Sequence, residues 1–260
     1  MKVRFSNISR RRFLLLAVLA TPAYVYADAE WLEPHWVHVR RLRLTKANPS
    51  HRIVHITDIH HKGDRGYLES VVRKVNALSP DAVCFTGDLI ERKEYVPEAL
   101  KLLEGIKSPL YGVPGNHDYW SEARFADFSA SFAQGGGGWL MDSQAMTADG
   151  KLQITGVTCR RGAPAPLAPR PGVKNILLLH FPLLAERSKH KFDLMLAGHS
   201  HGGQVRLPFY GALVVPYWVG RYEVGLFRLP AGPLYVNPGL GCLGTPIRFN
   251  CRPEITVIEI

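Results

Sequence analysis

Four cysteines in 260 residues are too few to staple a small disulfide scaffold. No acidic residue precedes Asp28, and the amino-terminal apolar run, Phe13 to Ala20, falls short of a bilayer span, which takes about 20 residues. The 24 glycines and 19 prolines follow no collagen or linker period, and no segment repeats. A charged fraction of 21% beside 46% apolar residues excludes a disordered tail. The length suits one sizeable core, as one domain or two small ones.

The formal charge of +10 suggests nucleic acid or an anionic membrane until its position is considered. Lys2, Arg4, Arg10, Arg11 and Arg12 precede the apolar run, and Thr21 to Ala27 ends in small residues. A basic start, a short apolar stretch and a possible cut after Ala27 describe a secretory signal. Ser9-Arg10-Arg11-Arg12-Phe13-Leu14 resembles the bacterial twin-arginine motif S-R-R-x-F-L, whose export machinery carries folded proteins. An uncleaved anchor is the alternative. Removing residues 1–27 takes five of the 32 basic residues and no acid, leaving 27 against 22, or +5. Residues 28–51 read as an extension containing an edge strand, because Arg40, Arg41, Arg43 and Lys46 alternate with Val39, Leu42 and Leu44. That stretch could instead meet a membrane surface. It lacks interleaved aromatics, so nucleic acid is not an expected partner.

Residues 52–260 read as the main domain. Apolar strands are expected at 52–57, 81–86 and 110–113, separated by amphipathic helices at 66–78 and 95–106, with a third helix at 121–133. That alternation predicts βαβ units and a largely parallel sheet. Downstream, residues 151–157, 174–180, 193–197, 203–207, 222–229, 233–237 and 254–260 read as strands with few helices between them. The proline-rich stretch 163–172 reads as a surface loop. The fold class is α/β, a sandwich of two mixed sheets.

Five clusters carry chemistry, four of them directly after an expected strand: Asp58-Ile59-His60, Gly87-Asp88, Gly115-Asn116-His117-Asp118, His180 and Gly198-His199-Ser200-His201. In extended backbone, residues i and i+2 point the same way, so Asp58 and His60 converge, as do His199 and His201. Ligands of α/β sheets gather beyond the carboxyl ends of strands. Asp, His and Asn without thiolate suit manganese, iron or zinc, and seven candidate ligands suit two ions sharing a carboxylate.

These blocks resemble the calcineurin-like metallophosphoesterases, whose pattern runs D-x-H, G-D, G-N-H-D/E, H, G-H-x-H. The likeness spans about residues 53–203. With Val236-Asn237-Pro238-Gly239-Leu240-Gly241, Arg248 and Pro253-Glu254-Ile255, it narrows to the bacterial YkuE/YaeI-type phosphodiesterases. The resemblance implies a four-layer sandwich, two mixed β-sheets flanked by helices. It implies that Asp58, His60 and His201 bind one metal, that Asn116, His180 and His199 bind a second, and that Asp88 bridges both. Manganese is the first expectation, with zinc or iron as alternatives. His117 is implied as the catalytic group facing the phosphate. Two such ions would activate a water for in-line attack on phosphorus, with His117 assisting the leaving oxygen.

Asp118 and Glu91 are both candidates to orient His117. His61 points away from His60 in extended backbone and is either a substrate contact or an incidental neighbour. Arg248 could clamp a phosphate oxygen or form a structural ion pair. His55 reads as structural and Cys84 as a small hydrophobe. Cys242 and Cys251 are close enough to pair in an oxidising compartment, though free thiols are preferred. Trp31-Leu32, Trp36-Val37 and residues 207–219 read as core strand with proline-bounded turns, or as lipid contacts.

The expectation is therefore a phosphodiesterase exported across or attached to the bacterial inner membrane, acting on a phosphodiester or pyrophosphate, with a lipid-linked substrate as one form of it. One alternative is a UDP-2,3-diacylglucosamine pyrophosphatase. Its substrate is cytoplasmic, whereas the basic amino-terminal flank points the domain outward. A remote alternative is a non-catalytic envelope protein that reads lipids or polyanions.

Overall fold

The computed structural model describes residues 9–160, 162 and 164–260. Lys2 and Arg4 of the basic start, and Ala163 at the head of the proline-rich loop, lie outside the described residues. Helix α1 (Arg10–Ala27) passes into a π-helical turn at Asp28–Leu32 and a 3-10 turn at Glu33–His35. Among the described residues no helix is long and apolar enough to cross a membrane.

The first half alternates as its periodicity predicts. Strands β1 (His38–Arg43) and β2 (Arg52–Ile56) lead to α2 (Arg65–Ala77), β3 (Ala82–Phe85), α3 (Val96–Leu103) and β4 (Leu110–Gly112). Asp64 starts α2 by accepting the Tyr67 N–H, and Leu68, Val71, Val72 and Val75 form its buried stripe. The helix expected over 121–133 begins only at Phe125. A short helix, α4 (Asn116–Trp120), precedes α5 (Phe125–Gln134) and β5 (Gly138–Trp139).

The second half is strand-rich: β6 (Ser143–Met146), β7 (Leu152–Gly156), β8 (Lys174–Leu178) and β9 (Leu194–Ala197) come first. The strand expected over 203–207 shrinks to a small hairpin, β10 (Arg206–Leu207) with β11 (Gly211–Ala212). β12 (Gly225–Leu229), β13 (Gly232–Val236) and β14 (Glu254–Glu259) complete the chain.

Two six-stranded sheets result, ordered β1-β14-β2-β3-β4-β5 and β12-β13-β9-β8-β7-β6. Both are mixed: β2–β3–β4–β5 and β13–β9–β8–β7 run parallel, while β14–β2, β12–β13 and β6–β7 are antiparallel. β1 lies at an edge with Arg40, Arg41 and Arg43 exposed, the wet edge strand its alternation predicts.

Strand alternation separates the cores. Ile53, Cys84, Ile176, Leu178 and Leu196 fill the space between the sheets. Val54, Ile56, Phe85 and Val83 face the other way onto Leu68, Val75, Leu100 and Phe132 of the helices. Leu177, Met195 and Leu234 pack on the far side against Leu184 and Ala185 of a 3-10 segment, Pro182–Arg187. β2, β3 and β4 of one sheet and β8 and β9 of the other carry the chemical clusters at their carboxyl ends. The site therefore sits where both sheets stop.

Candidate metal centre

The loops after β2, β3 and β4 interlock before any side chain is considered. Asp58 N–H donates to Gly87 O (2.9 Å), His60 N–H to Asp88 O (3.0 Å) and His61 N–H to Leu89 O (2.8 Å). The Asp118 carboxylate ties in the third loop by accepting from the backbone N–H groups of Asp88, Leu89 and Gly115, each at 2.9 Å. Burial and the nearby Asp88 push the Asp118 carboxyl up to about 7. Asp118 is thus a loop clamp, and Glu91 is the acid that meets His117, with Oε2 3.3 Å from Nδ1.

Convergence arises differently from the expected extended backbone. Asp58 (φ 49°), His60 (46°), Asp88 (58°), His199 (67°) and His201 (50°) are all left-handed. Such conformations cost about 1–3 kcal/mol each outside glycine and persist where surrounding bonds impose them. Here the imposing bonds run through Asp58, which accepts the His199 N–H (2.9 Å) and the Thr57 hydroxyl (2.7 Å). Asp88 accepts the His117 N–H at 2.8 Å. Neighbouring glycines make room: a Cβ on Gly115 would lie 2.0 Å from Asp88 Oδ1, and one on Gly198 2.1 Å from Thr57 Oγ1.

Three inward groups of donor atoms follow: Asp58, His60 and His201; His60, Asp88 and His117; Asp88, His180 and His199. Asn116 joins the last, its Oδ1 2.9 Å from His180 Nε2. The imidazoles are prepared as ligands. His180 Nδ1–H donates to Thr86 O (2.7 Å), which leaves Nε2 facing Asp88 Oδ2 at 3.3 Å. His199 Nε2–H donates to Tyr217 O (2.8 Å), leaving Nδ1. His60 Nδ1 lies 2.7 Å from Glu91 Oε1, leaving Nε2. His60 Nε2 and His201 Nε2 face each other at 3.1 Å, with Asp58 Oδ1 3.5 Å from the latter and His201 Nδ1 buried without a partner. Opposed lone pairs backed by carboxylates are what a pair of divalent cations requires, so the donor set fits two metals.

The clustered charges also shift the protonation of their members. Burial alone would raise Asp58 and Asp88, but the surrounding His201, His60 and His180 rings hold Asp58 well below the carboxylate range, and His180 and His60 hold Asp88 down at about 2. Burial pushes His201 down to about 3 and His199 to about 4. His60 and His180 rise against burial, to about 10 and 9, because of Asp58, Glu91 and Asp88.

His117 stands at the rim, partly exposed, its ring 4.7 Å from His60 and 4.8 Å from Trp120. Two clefts open beside it. One, of about 770 Å³, starts at Asn116 and is lined by Tyr119, Trp120, Arg160, Phe181, Arg187 and Trp218. The other, of about 600 Å³, starts at His201 and is lined by Val214, Val215, Pro216, Tyr217 and Leu243. Arg160, Arg187, Trp120 and Thr57 carried no motif signal, since only the fold brings them to the site.

The two weaker candidates lie elsewhere. His61 is buried, with Nε2 3.0 Å from Glu98 Oε2, so its ring is turned to α3 rather than to substrate. Arg248 is fully buried and donates to the carbonyls of Cys251 (2.9 Å), Pro238 (2.9 Å), Gly239 (3.3 Å) and Gly241. Among the described residues its guanidinium makes no ion pair, and it is buried away from both clefts. It fixes the loop whose Gly239 packs under Asp58. All four cysteines are free. Residues 207–218, read as core, are instead largely exposed, because two-residue strands give them no sheet to join.

The family model for calcineurin-like phosphoesterases matches residues 51–203. The chain is 31% identical to the uncharacterized metallophosphoesterase YkuE of Bacillus subtilis, covering 98% of each. It is 29% identical to phosphodiesterase YaeI of Escherichia coli, over 97% of this chain and 99% of that one. It is 28% identical to the UDP-2,3-diacylglucosamine pyrophosphatase LpxG of Chlamydia trachomatis, over 94% and 95%. With the strand-end Asp, Asn and His clusters matched within that span, the chain belongs to the calcineurin-like phosphoesterases and is a phosphoric ester hydrolase.

Proposed function

We propose that this chain is a binuclear metal-dependent phosphodiesterase. Asp58, His60 and His201 would hold one divalent ion, Asn116, His180 and His199 a second, with Asp88 shared. The observation that carries this reading is that Asp88 belongs to two donor groups, one on each side. Oxygen and nitrogen donors without thiolate favour manganese, with zinc or iron as alternatives. Bound there, the ions would supply an activated water at neutral pH and offset charge on the phosphate oxygens.

The chain's own groups do the rest. Glu91 lies between His60 and His117, its Oε2 3.3 Å from His117 Nδ1, so it would favour a proton on that nitrogen and set the ring's direction. His117 Nε2 is then available to give a proton to the departing alkoxide, a step worth about 10²–10⁴-fold. The histidines tied to Thr86 and Tyr217 carbonyls cannot turn, so the donor geometry is preorganised.

A second reading, a UDP-2,3-diacylglucosamine pyrophosphatase, draws on the paired clefts. Arg160 and Arg187 with aromatic walls suit an anionic, planar group, and the Val214–Leu243 cleft suits an apolar one. The export signal expected in residues 1–27 speaks for a substrate outside the cytoplasm instead. The test is to purify the full chain, measure bound metals, and compare hydrolysis of bis(p-nitrophenyl) phosphate and of UDP-diacylglucosamine with added Mn²⁺. Asp88→Asn should abolish both activities, a loss beyond the roughly 10⁴-fold of a lone acid–base group. Activity surviving in Asp88→Asn ends the shared-carboxylate account.

A further inference from the structure

We propose that the 206–218 hairpin and the turns that follow α1, residues 28–36, form one face that seats the protein on an anionic lipid bilayer. This is independent of the chemistry proposed above. Trp31, Trp36 and Trp218 are substantially exposed, an unusual state for a residue that folding normally buries. Phe209 is fully exposed, Tyr217 is 92% exposed, and Tyr210 and Val214 are exposed beside them. Phe209 and Trp218 also hold left-handed backbone (φ 66° and 69°), so the turn spends conformational energy without burying the ring at its tip.

The hairpin and the amino-terminal segment meet on a common seam. Phe249 N–H donates to Gln204 O (2.8 Å) and Arg206 N–H to Phe249 O (2.9 Å). Arg248 N–H donates to Ala29 O (2.9 Å), and the Glu33 carboxylate accepts from the backbone of Asn250 (2.8 Å) and Cys251. Residues 248–251 thus have the hairpin on one side and residues 29–33 on the other. Arg252 lies 3.8 Å over the Trp36 ring. A cleft of about 390 Å³ joins Asp28, Trp36 and Arg206 across the seam.

Aromatic rings beside arginines are the composition that settles at a headgroup boundary. α1 adds exposed Leu14, Leu15, Val18 and Leu19 behind Arg10 and Arg11. A cut after Ala27 would leave Trp31, Trp36 and the hairpin in place. The chain is basic as a whole, +10 or +5 after such a cut, and on the face itself Arg206 and Arg252 are the cations, beside Asp28, Glu33 and Glu223. Because Val214, Val215 and Tyr217 also line the cleft at His201, docking would turn that cleft toward the lipid.

The test is co-sedimentation of the full chain with vesicles of phosphatidylglycerol and phosphatidylethanolamine, for the native chain and for Phe209→Ser/Tyr210→Ser. The native chain should partition onto the vesicles, and the double variant about tenfold or more weakly, from the apolar area withdrawn. Its circular dichroism and melting should be unchanged. No vesicle binding by the native chain overturns the proposal. So does equal binding by both, which would leave α1 as the sole anchor. Light scattering gives the third outcome: a native dimer that the double variant dissolves, with vesicle binding unaltered, assigns the face to a second copy and overturns it too.

Discussion

The floor and the rim of the site are built on opposite terms. In the floor, Asp58, Asp88, Asp118 and His180 all hold hydrogen-bond partners inside the chain, and five left-handed residues are locked by bonds between loops. There is no slack, since one methyl group on Gly115 or Gly198 would meet atoms near 2 Å. At the rim, residues 207–218 hang on two-residue strands with aromatic rings facing water. The fold spends its stability on positioning the ligands and leaves the rim free to vary. Changes in the floor should therefore alter chemistry and stability together, whereas changes at the exposed tip of the rim, Phe209 and Tyr210, should touch neither.

The group at the boundary breaks that coupling first. His117→Ala should lower turnover by about 10²–10⁴-fold while metal content, read by elemental analysis, stays at the native value. Loss of metal in that variant would move His117 from the proton path into the ligand set. Within the floor, Gly198→Ala should cost about 1–3 kcal/mol by urea denaturation, the range for overpacking a filled interior. It should also weaken metal retention, because the same methyl would press on Asp58. Native stability in that variant would mean the loops are looser than their bonds suggest.

A smaller effect comes from His55, fully buried with Nε2 2.8 Å from the Thr86 hydroxyl. Burial pushes its ring down from 6.5 to about 3. Between those values the unfolded chain takes up a proton that the folded chain refuses, so stability falls as pH drops from 6.5 toward 3. The slope contributed by one group is at most about 1.4 kcal/mol per pH unit. His55→Gln keeps a polar partner for Thr86 and removes the proton site, so its acid limb should be flatter. Parallel curves would show that His55 does not drive acid sensitivity.

The gathering of Asp, Asn and His side chains in the floor was legible because strand ends are marked by apolar runs stopping at Gly87, Gly115 and Gly198. The route to convergence was not legible. Alternation places Asp58 and His60 on one face of an extended strand, whereas they converge through left-handed turns imposed by Gly87, Asp88 and Asp118 from distant loops. The choice between Glu91 and Asp118 likewise needed coordinates, as did the burial of Arg248 among carbonyls. Apolar content misled at residues 207–219. A run containing Leu213, Val214 and Val215 reads as core unless the chain lacks a strand to pair it, and pairing is a tertiary fact.

The least disruptive change is the sharpest test of the contrast. Phe209→Ser removes a large aromatic ring that packs on nothing the fold uses, so the native state loses no buried area. Its urea midpoint should shift by no more than about 0.5 kcal/mol, the ordinary range for a surface substitution. Hydrolysis of soluble bis(p-nitrophenyl) phosphate should match the native rate, because Phe209 lines neither cleft at the metal centre. A loss above 1 kcal/mol would mean that the ring is buried in solution, by the hairpin folding back or by another molecule. The division into a rigid floor and an uncommitted rim would then fail on the rim side, whatever the floor variants do.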